Sequence, residues 1–387
     1  MLPLAAAPVA DVLTDLFLVL LAAKIGDEIF KRLHQPALIG EITAGALIGP
    51  AVLGIVEPSE PLEVFAELGV VFLLFWVGLE TRLSDMLEVG RAPLLVGILG
   101  VIFPFAGGAG LALALGEDSA TAVFLGVALV ATSVGITSAV LIELGVLGGK
   151  AARTILGAAV IDDILAMLLL AVAVGLGQDE GVDVPALLTT VAMAVAFVAF
   201  FTLGGTRLFA HRPRILHSPR FSESPLLPAV IICLGLAAFA AHIGLAAIIG
   251  AFLAGMVVAE TKEQHPIEEE VEPLYAFFPP FFFVFIGMEV ELAELADVET
   301  LGLLAGVTAL AFVTKYAGAR LGARDLSARD ANVVALGMVP RGEVGIIVAG
   351  IGATAGVVDE QLFAVIVGMS ILTTVVIPPL LRRALRE

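Results

Sequence analysis

The sequence predicts an all-α integral membrane protein of thirteen transmembrane helices, built as two inverted six-helix repeats joined by a linker helix, with broken helices five and twelve crossing. Three observations carry that expectation. The 387 residues are 59% hydrophobic and only 15% charged, and a mean hydropathy of +1.07 lies far outside the soluble range. Thirteen apolar runs are long enough to cross a bilayer. Two segments recur about 210 residues apart.

A helix needs about 20 apolar residues to cross about 30 Å of hydrocarbon. The runs cover approximately 9–31, 37–56, 62–82, 92–115, 119–146, 152–177, 184–208, 225–241, 244–260, 274–292, 299–321, 330–354 and 360–381. Only His242 and Gly244 divide the eighth from the ninth. The first ten residues hold no Lys or Arg, which argues against a cleaved signal peptide. The single cysteine, Cys233, sits in an apolar run, reads as a small core residue and rules out a disulfide within one chain.

Orientation follows from the basic residues. With the N-terminus outside, the inner segments hold seventeen of the twenty Lys and Arg, and the outer loops hold none. The positive-inside rule therefore predicts N-out and C-in, and it requires the eighth and ninth runs to be separate helices. Three cations remain inside the runs. Lys24 is near an inner end, where its side chain can snorkel, and Lys315 and Arg341 call for buried partners.

The internal repeat pairs Phe72-Leu-Leu-Phe-Trp-Val-Gly-Leu-Glu80 with Phe281-Phe-Phe-Val-Phe-Ile-Gly-Met-Glu289, at an offset of 209. It also pairs Ile39-Gly-Glu-Ile-Thr-Ala-Gly45 with Ile249-Gly-Ala-Phe-Leu-Ala-Gly255, at 210. The offset matches runs 1–6 to runs 8–13 and leaves run 7 as an odd linker, which forces the halves into opposite orientations.

Chemistry concentrates at three places. The fifth run carries Ala131-Thr-Ser-Val-Gly-Ile-Thr-Ser138 and the twelfth carries Gly337-Met-Val-Pro-Arg-Gly-Glu-Val-Gly345; Thr132 and Arg341 are repeat mates, at an offset of 209. Pro340 removes a backbone donor and the glycines loosen the turn, so polar backbone is freed in mid-membrane. Thr132, Ser133, Thr137 and Ser138 then offer hard oxygen ligands to a small cation; a helix-packing surface is the competing reading. In the sixth run, Asp162 and Asp163 sit in the middle of an apolar stretch. There each ionised carboxylate costs roughly 2.5–3.5 kcal/mol unless something offsets it. Neighbours on a helix point about 100° apart, so the two acids have different jobs. One of them faces the crossing as an ion ligand, and Lys315 is the natural partner of the other. Arg341 and Glu343 pair locally or with acids such as Glu80 or Glu143.

Together, Ala131 to Thr137, Val160-Ile-Asp-Asp-Ile164, the intramembrane Lys315 and Pro340-Arg-Gly-Glu-Val-Gly345 resemble the bacterial sodium/proton antiporters of the NapA type, in the monovalent cation:proton antiporter-2 family. The resemblance covers essentially the whole chain. It implies a dimerisation domain from residues 1–90 and 223–297, a mobile core from 91–178 and 298–387, and a linker helix with an inner loop over 179–222. It also implies that Asp163 binds sodium or a proton and that Asp162 pairs with Lys315 in an electrogenic exchanger. Relatives that carry potassium often have Gln-Asp at the acid pair, whereas this chain has Asp-Asp.

The expected function is exchange of sodium, or lithium, for protons across the cytoplasmic membrane by alternating access, with sodium transiently held by Asp163, Thr132 and Ser133. No enzyme activity, cofactor or nucleic-acid partner is expected, and a homodimer in membrane lipid is. Competing readings are a potassium/proton antiporter, a cation channel, which needs a continuous pore, and an intramembrane aspartyl protease. The last needs two carboxylates converging from separate segments, which adjacent acids on one helix do not provide.

Overall fold

The computed structural model describes residues 9–33, 35–81, 90–177, 184–201, 226–259, 267–289 and 298–386. Among these residues every regular element is a helix, and there are sixteen. They are α1 (Val9–Arg32), α2 (Ala37–Ile48), α3 (Glu60–Leu79), α4 (Ala92–Leu115), α5 (Ser119–Val130), α6 (Val134–Glu143), α7 (Lys150–Gly177) and α8 (Val184–Ala199) in the first half. Then come α9 (Leu226–His242), α10 (Ala247–Ala259), α11 (Ile267–Phe277), α12 (Pro279–Met288), α13 (Val298–Gly322), α14 (Ala328–Gly337), α15 (Glu343–Thr354) and α16 (Glu360–Arg386).

Among the described residues, six helical segments are long and apolar enough to cross a membrane: Glu60–Leu79, Ala92–Leu115, Ser119–Glu143, Ile267–Met288, Val298–Gly322 and Glu360–Arg386. Side chains left on the outside include Leu13, Phe17, Leu21 and Ile25 of α1. Such an apolar exterior suits lipid rather than water.

The doubtful division is made: α9 ends at His242, and Gly244 turns the chain at φ 81° before α10 begins. Two boundaries move. The second run extends to residue 56, but α2 stops at Ile48 because Pro50 cannot donate the next helical hydrogen bond. Residues 49–56 instead fold back, with the Leu53 and Ile55 amides donating to the Leu47 and Ile48 carbonyls. The tenth run begins at residue 274, whereas helix begins at Ile267. Glu268, Glu269, Glu270 and Glu272 give that first stretch too much charge to read as membrane, yet acids in a first turn favour a helix start. Just before the fifth run, Asp118 caps α5 by accepting from the Thr121 amide at 2.8 Å. That bond holds the Asp118 carboxyl below the usual carboxylate range.

Packing divides the helices into two groups. In one, α2 lies against α1 and α12, and α10 lies against α9 and α3. In the other, α4 lies against α13, α5 and α7, while α16 lies against α13, α14 and α15. The groups meet where α6 touches α2 and α3 and where α16 touches α2. Two crossings in the first group are counterparts. A Cβ on Gly45 or Gly287 would collide with the backbone of the facing helix where α2 crosses α12, and one on Gly78 or Gly255 would do so where α3 crosses α10. Gly45 and Gly255 are 210 residues apart and Gly78 and Gly287 are 209 apart, the two offsets of the sequence repeat.

Candidate functional site

Both breaks form where the sequence loosens the helix. After α5 the chain extends, with Ala131 at φ −54°, ψ 132° and Ser133 at φ −82°, ψ 99°, and α6 then resumes at Val134. After α14, Pro340 disfavours helix at Val339, and the non-helical Gly342 (φ −148°, ψ −133°) leads into α15. The two stretches cross. The Ser133 amide donates to the Pro340 carbonyl at 2.9 Å. The Thr132 hydroxyl donates to the Met338 carbonyl at 3.3 Å and the Thr137 hydroxyl to the Gly337 carbonyl at 2.6 Å. Thr132, Ser133, Thr137, Pro340 and Arg341 are thus one site, while the buried Ser138 hydroxyl has no hydrogen-bond partner.

A helix that stops in mid-membrane leaves its last carbonyls unpaired and its negative dipole end exposed. Two buried cations meet that need. The Lys315 ammonium, on α13, donates to the Val130 carbonyl at the end of α5 at 2.7 Å. The Arg341 guanidinium donates through Nη2 to Leu129 at 2.6 Å, and through Nη1 to Val339 at 2.7 Å and Met338 at 3.2 Å, so it bridges the ends of α5 and α14. The partners described for Arg341 are thus backbone carbonyls. Glu143 is engaged elsewhere, accepting from the Ala37 amide and facing Arg382. Glu343 opens α15, but its side chain lies outside the described residues.

The adjacent acids diverge as helical geometry requires. Asp162 is fully buried, and its Oδ1 accepts from Lys315 Nζ at 2.6 Å, while Oδ2 has no hydrogen-bond partner. Gly100 of α4 packs beside the pair, where a Cβ would make an ordinary contact 3.6 Å from Lys315 Cε. Asp163, 7% exposed, looks the other way. It lines a narrow crevice with Val134 of α6, Val160 of α7, Leu74 of α3, and Ile248 and Phe252 of α10. That crevice runs between the two packing groups, beside the start of α6. Among the described residues no group of three or more His, Cys, Asp or Glu forms a resident metal site. A small cation here would be held by one carboxylate and neutral oxygens.

A family model described as "Sodium/hydrogen exchanger, transmembrane" matches residues 17–386. The chain belongs to the sodium/hydrogen exchanger family. It is similar to the Na(+)/H(+)-K(+) antiporter GerN of Bacillus cereus, 39% identical over 368 residues that cover 94% of each chain. It is also similar to the high-affinity Na(+)/H(+) antiporter NhaS3 of Synechocystis, 33% identical over 414 residues, covering 96% of this chain and 89% of the relative. The fold resembles that of the sodium proton antiporter MjNhaP1 from Methanocaldococcus jannaschii, with TM-score 0.71 and 18% identity, covering 98% of this chain and 100% of that one. As a sodium/hydrogen exchanger family member the chain is a membrane-embedded transporter.

Sequence reading missed the support behind Arg341. The Thr373 hydroxyl accepts from the Arg341 amide at 3.0 Å, and the Thr374 hydroxyl donates to the Arg341 carbonyl. Ser370, Thr373 and Thr374 recur at helical spacing within an apolar run. That signal, the same one used for the fifth run, points to them.

Proposed function

We propose that this exchanger-family member is a sodium/proton antiporter of the NapA type, in which sodium and a proton compete for Asp163 and an alternating-access movement carries the site across the membrane. The observation behind this is the split of the acid pair. Asp162 is spent on Lys315, whereas Asp163 faces the crevice that also reaches the start of α6. The two relatives named above are a Na(+)/H(+)-K(+) antiporter and a Na(+)/H(+) antiporter. Thr132 and Ser133 supply the neutral oxygens, and Arg341, Pro340, Thr137 and Glu343 shape the break that presents them. No cofactor takes part; sodium and protons are the cargo.

The sixteen helices group into thirteen spans when α5 joins α6, α11 joins α12 and α14 joins α15. The paired glycine crossings support an inverted repeat. The packing group of α1–α3 and α9–α12 serves as the dimerisation domain, and α4–α7 with α13–α16 as the moving core. The basic residues put the N-terminus outside and the C-terminus inside the cytoplasmic membrane. An Asp163 carboxylate that gives up sodium without taking a proton leaves a net charge that is costly to move through the barrier, and this couples the two fluxes. If the Asp162–Lys315 pair opens when sodium binds and releases a further proton, exchange moves net charge.

Proteoliposomes loaded with a pH-sensitive dye test this reading. A sodium gradient should drive proton movement in the parent protein and none in Asp163→Asn. Full exchange by that variant would remove Asp163 as the ion ligand. The potassium in the printed name of GerN makes potassium the second cation to compare.

A further inference from the structure

One contact between the two packing groups belongs to neither the crossing nor the acid pair. Glu143 ends α6, and its Oε2 accepts from the backbone amide of Ala37 at 3.1 Å, across 106 residues of sequence. Ala37 is the first residue of α2, behind Pro36, so its amide has no partner within its own helix. The other Glu143 oxygen lies 3.6 Å from Arg382 Nη1 on α16, so one carboxylate joins α6 and α16 to the start of α2.

From these contacts we propose that Glu143 is a latch that holds the moving core against the dimerisation domain at the inner face. The inference rests on the two-domain reading above. Three features support it. The contact lies at the molecular end where α1 finishes with Lys31 and Arg32 and α16 finishes with Arg383 and Arg386. A carboxylate at a helix N-terminus is favoured by both the free amide and the dipole. The latch is also one-sided: the repeat offset of 209 maps Glu143 onto Gly352, which has no side chain to reach Ala247, the counterpart of Ala37 at an offset of 210. A Cβ at Gly352 would collide with Val358, so the outer counterpart of the latch cannot simply be added. Two otherwise matched faces therefore differ in how firmly they close. A charge-assisted hydrogen bond made in one state and absent in the other shifts the ratio of the states by roughly tenfold, and by less where water screens it. Glu143 and Arg382 side chains are 25% and 18% exposed, so a few-fold shift is expected.

The test uses a chain in which Cys233→Ser removes the one native thiol and Val160→Cys reports on the crevice. Labelling rates are read from the inner side with a membrane-impermeant methanethiosulfonate cation. Ala37→Pro replaces the donated hydrogen by a ring carbon and so breaks the contact with Glu143 while the helix start is kept, because proline is favoured at the first helical position and Pro36 already has the extended backbone, φ −56° and ψ 137°, that a following proline requires. Glu143→Gln removes the charge. Both variants should label several-fold faster from inside than the parent. Equal rates in Ala37→Pro and parent would overturn the latch, whatever Glu143→Gln does, since a merely structural role of the carboxylate does not require the Ala37 amide. Sodium-driven exchange of the same proteins is recorded in parallel. If the parent does not exchange, the transport reading has failed; if it exchanges but Ala37→Pro labels like the parent, only the latch has.

Discussion

Replacing Lys315 by methionine keeps the length and apolar volume of the stem but deletes its ammonium. Two groups then lose their partner at once: the Asp162 carboxylate at 2.6 Å and the Val130 carbonyl at 2.7 Å. At 2.6 Å the gross attraction of the pair is roughly 6 kcal/mol at an effective dielectric constant of about 20. Desolvation of both fully buried side chains offsets much of this in the parent protein. Removing one partner does not return that cost, so the expected loss is about 3–5 kcal/mol. Pairing Lys315→Met with Asp162→Asn removes both charges and should restore most of it. Thermal unfolding in detergent measures the pattern. Lys315→Met should fall by several degrees and the double variant should recover more than half of the drop. A single variant that melts with the parent, or a double variant no more stable than the single, would refute the reasoning, because either result means the pair is not desolvated as described.

Other expectations follow from the same geometry. Asp163→Asn should abolish sodium-driven proton movement with the melting temperature at or above that of the parent, because the amide keeps the volume while removing a carboxylate from a nearly buried crevice wall; a large drop in stability would assign it a structural role. In the parent, the sodium concentration for half-maximal exchange should rise as pH falls, approaching tenfold per unit once Asp163 is mostly protonated, and a pH-independent value would rule out competition. Gly342→Ala places a Cβ 2.7 Å from Ser133 Oγ between the crossing stretches. It should cost about 1–3 kcal/mol and slow exchange, both readable on one purified sample. Asp118→Ala removes the cap of α5. Because the folded carboxyl of Asp118 titrates below its unfolded value, the stabilisation is present above the ordinary carboxylate range and lost as pH falls through the depressed value. The melting difference between parent and Asp118→Ala should therefore close on acidification, and a constant difference would contradict the cap.

The sequence by itself determined a membrane-embedded all-helical chain, because apolar runs of span length allow little else. It also marked Thr132, Ser133, Pro340 and Arg341 as one place, since helix-weakening residues recur at the repeat offset. It separated the duties of Asp162 and Asp163 from the helical turn alone. What the residue pattern left open, and only the family resemblance supplied, is which acid meets Lys315: a 100° difference in direction is legible in a sequence, but the neighbour on each side is not. Only the packing of α7 between α4 and the crevice decided that Asp162 faces the cation. The partners of Arg341 were decided in the same way. A charge in an apolar run suggests an opposite charge nearby, whereas the tertiary structure supplied the ends of two broken helices, whose carbonyls belong to every residue type and so leave no mark in the sequence. The reach of Glu143 to Ala37 is legible only in three dimensions for the same reason: its partner is a backbone amide.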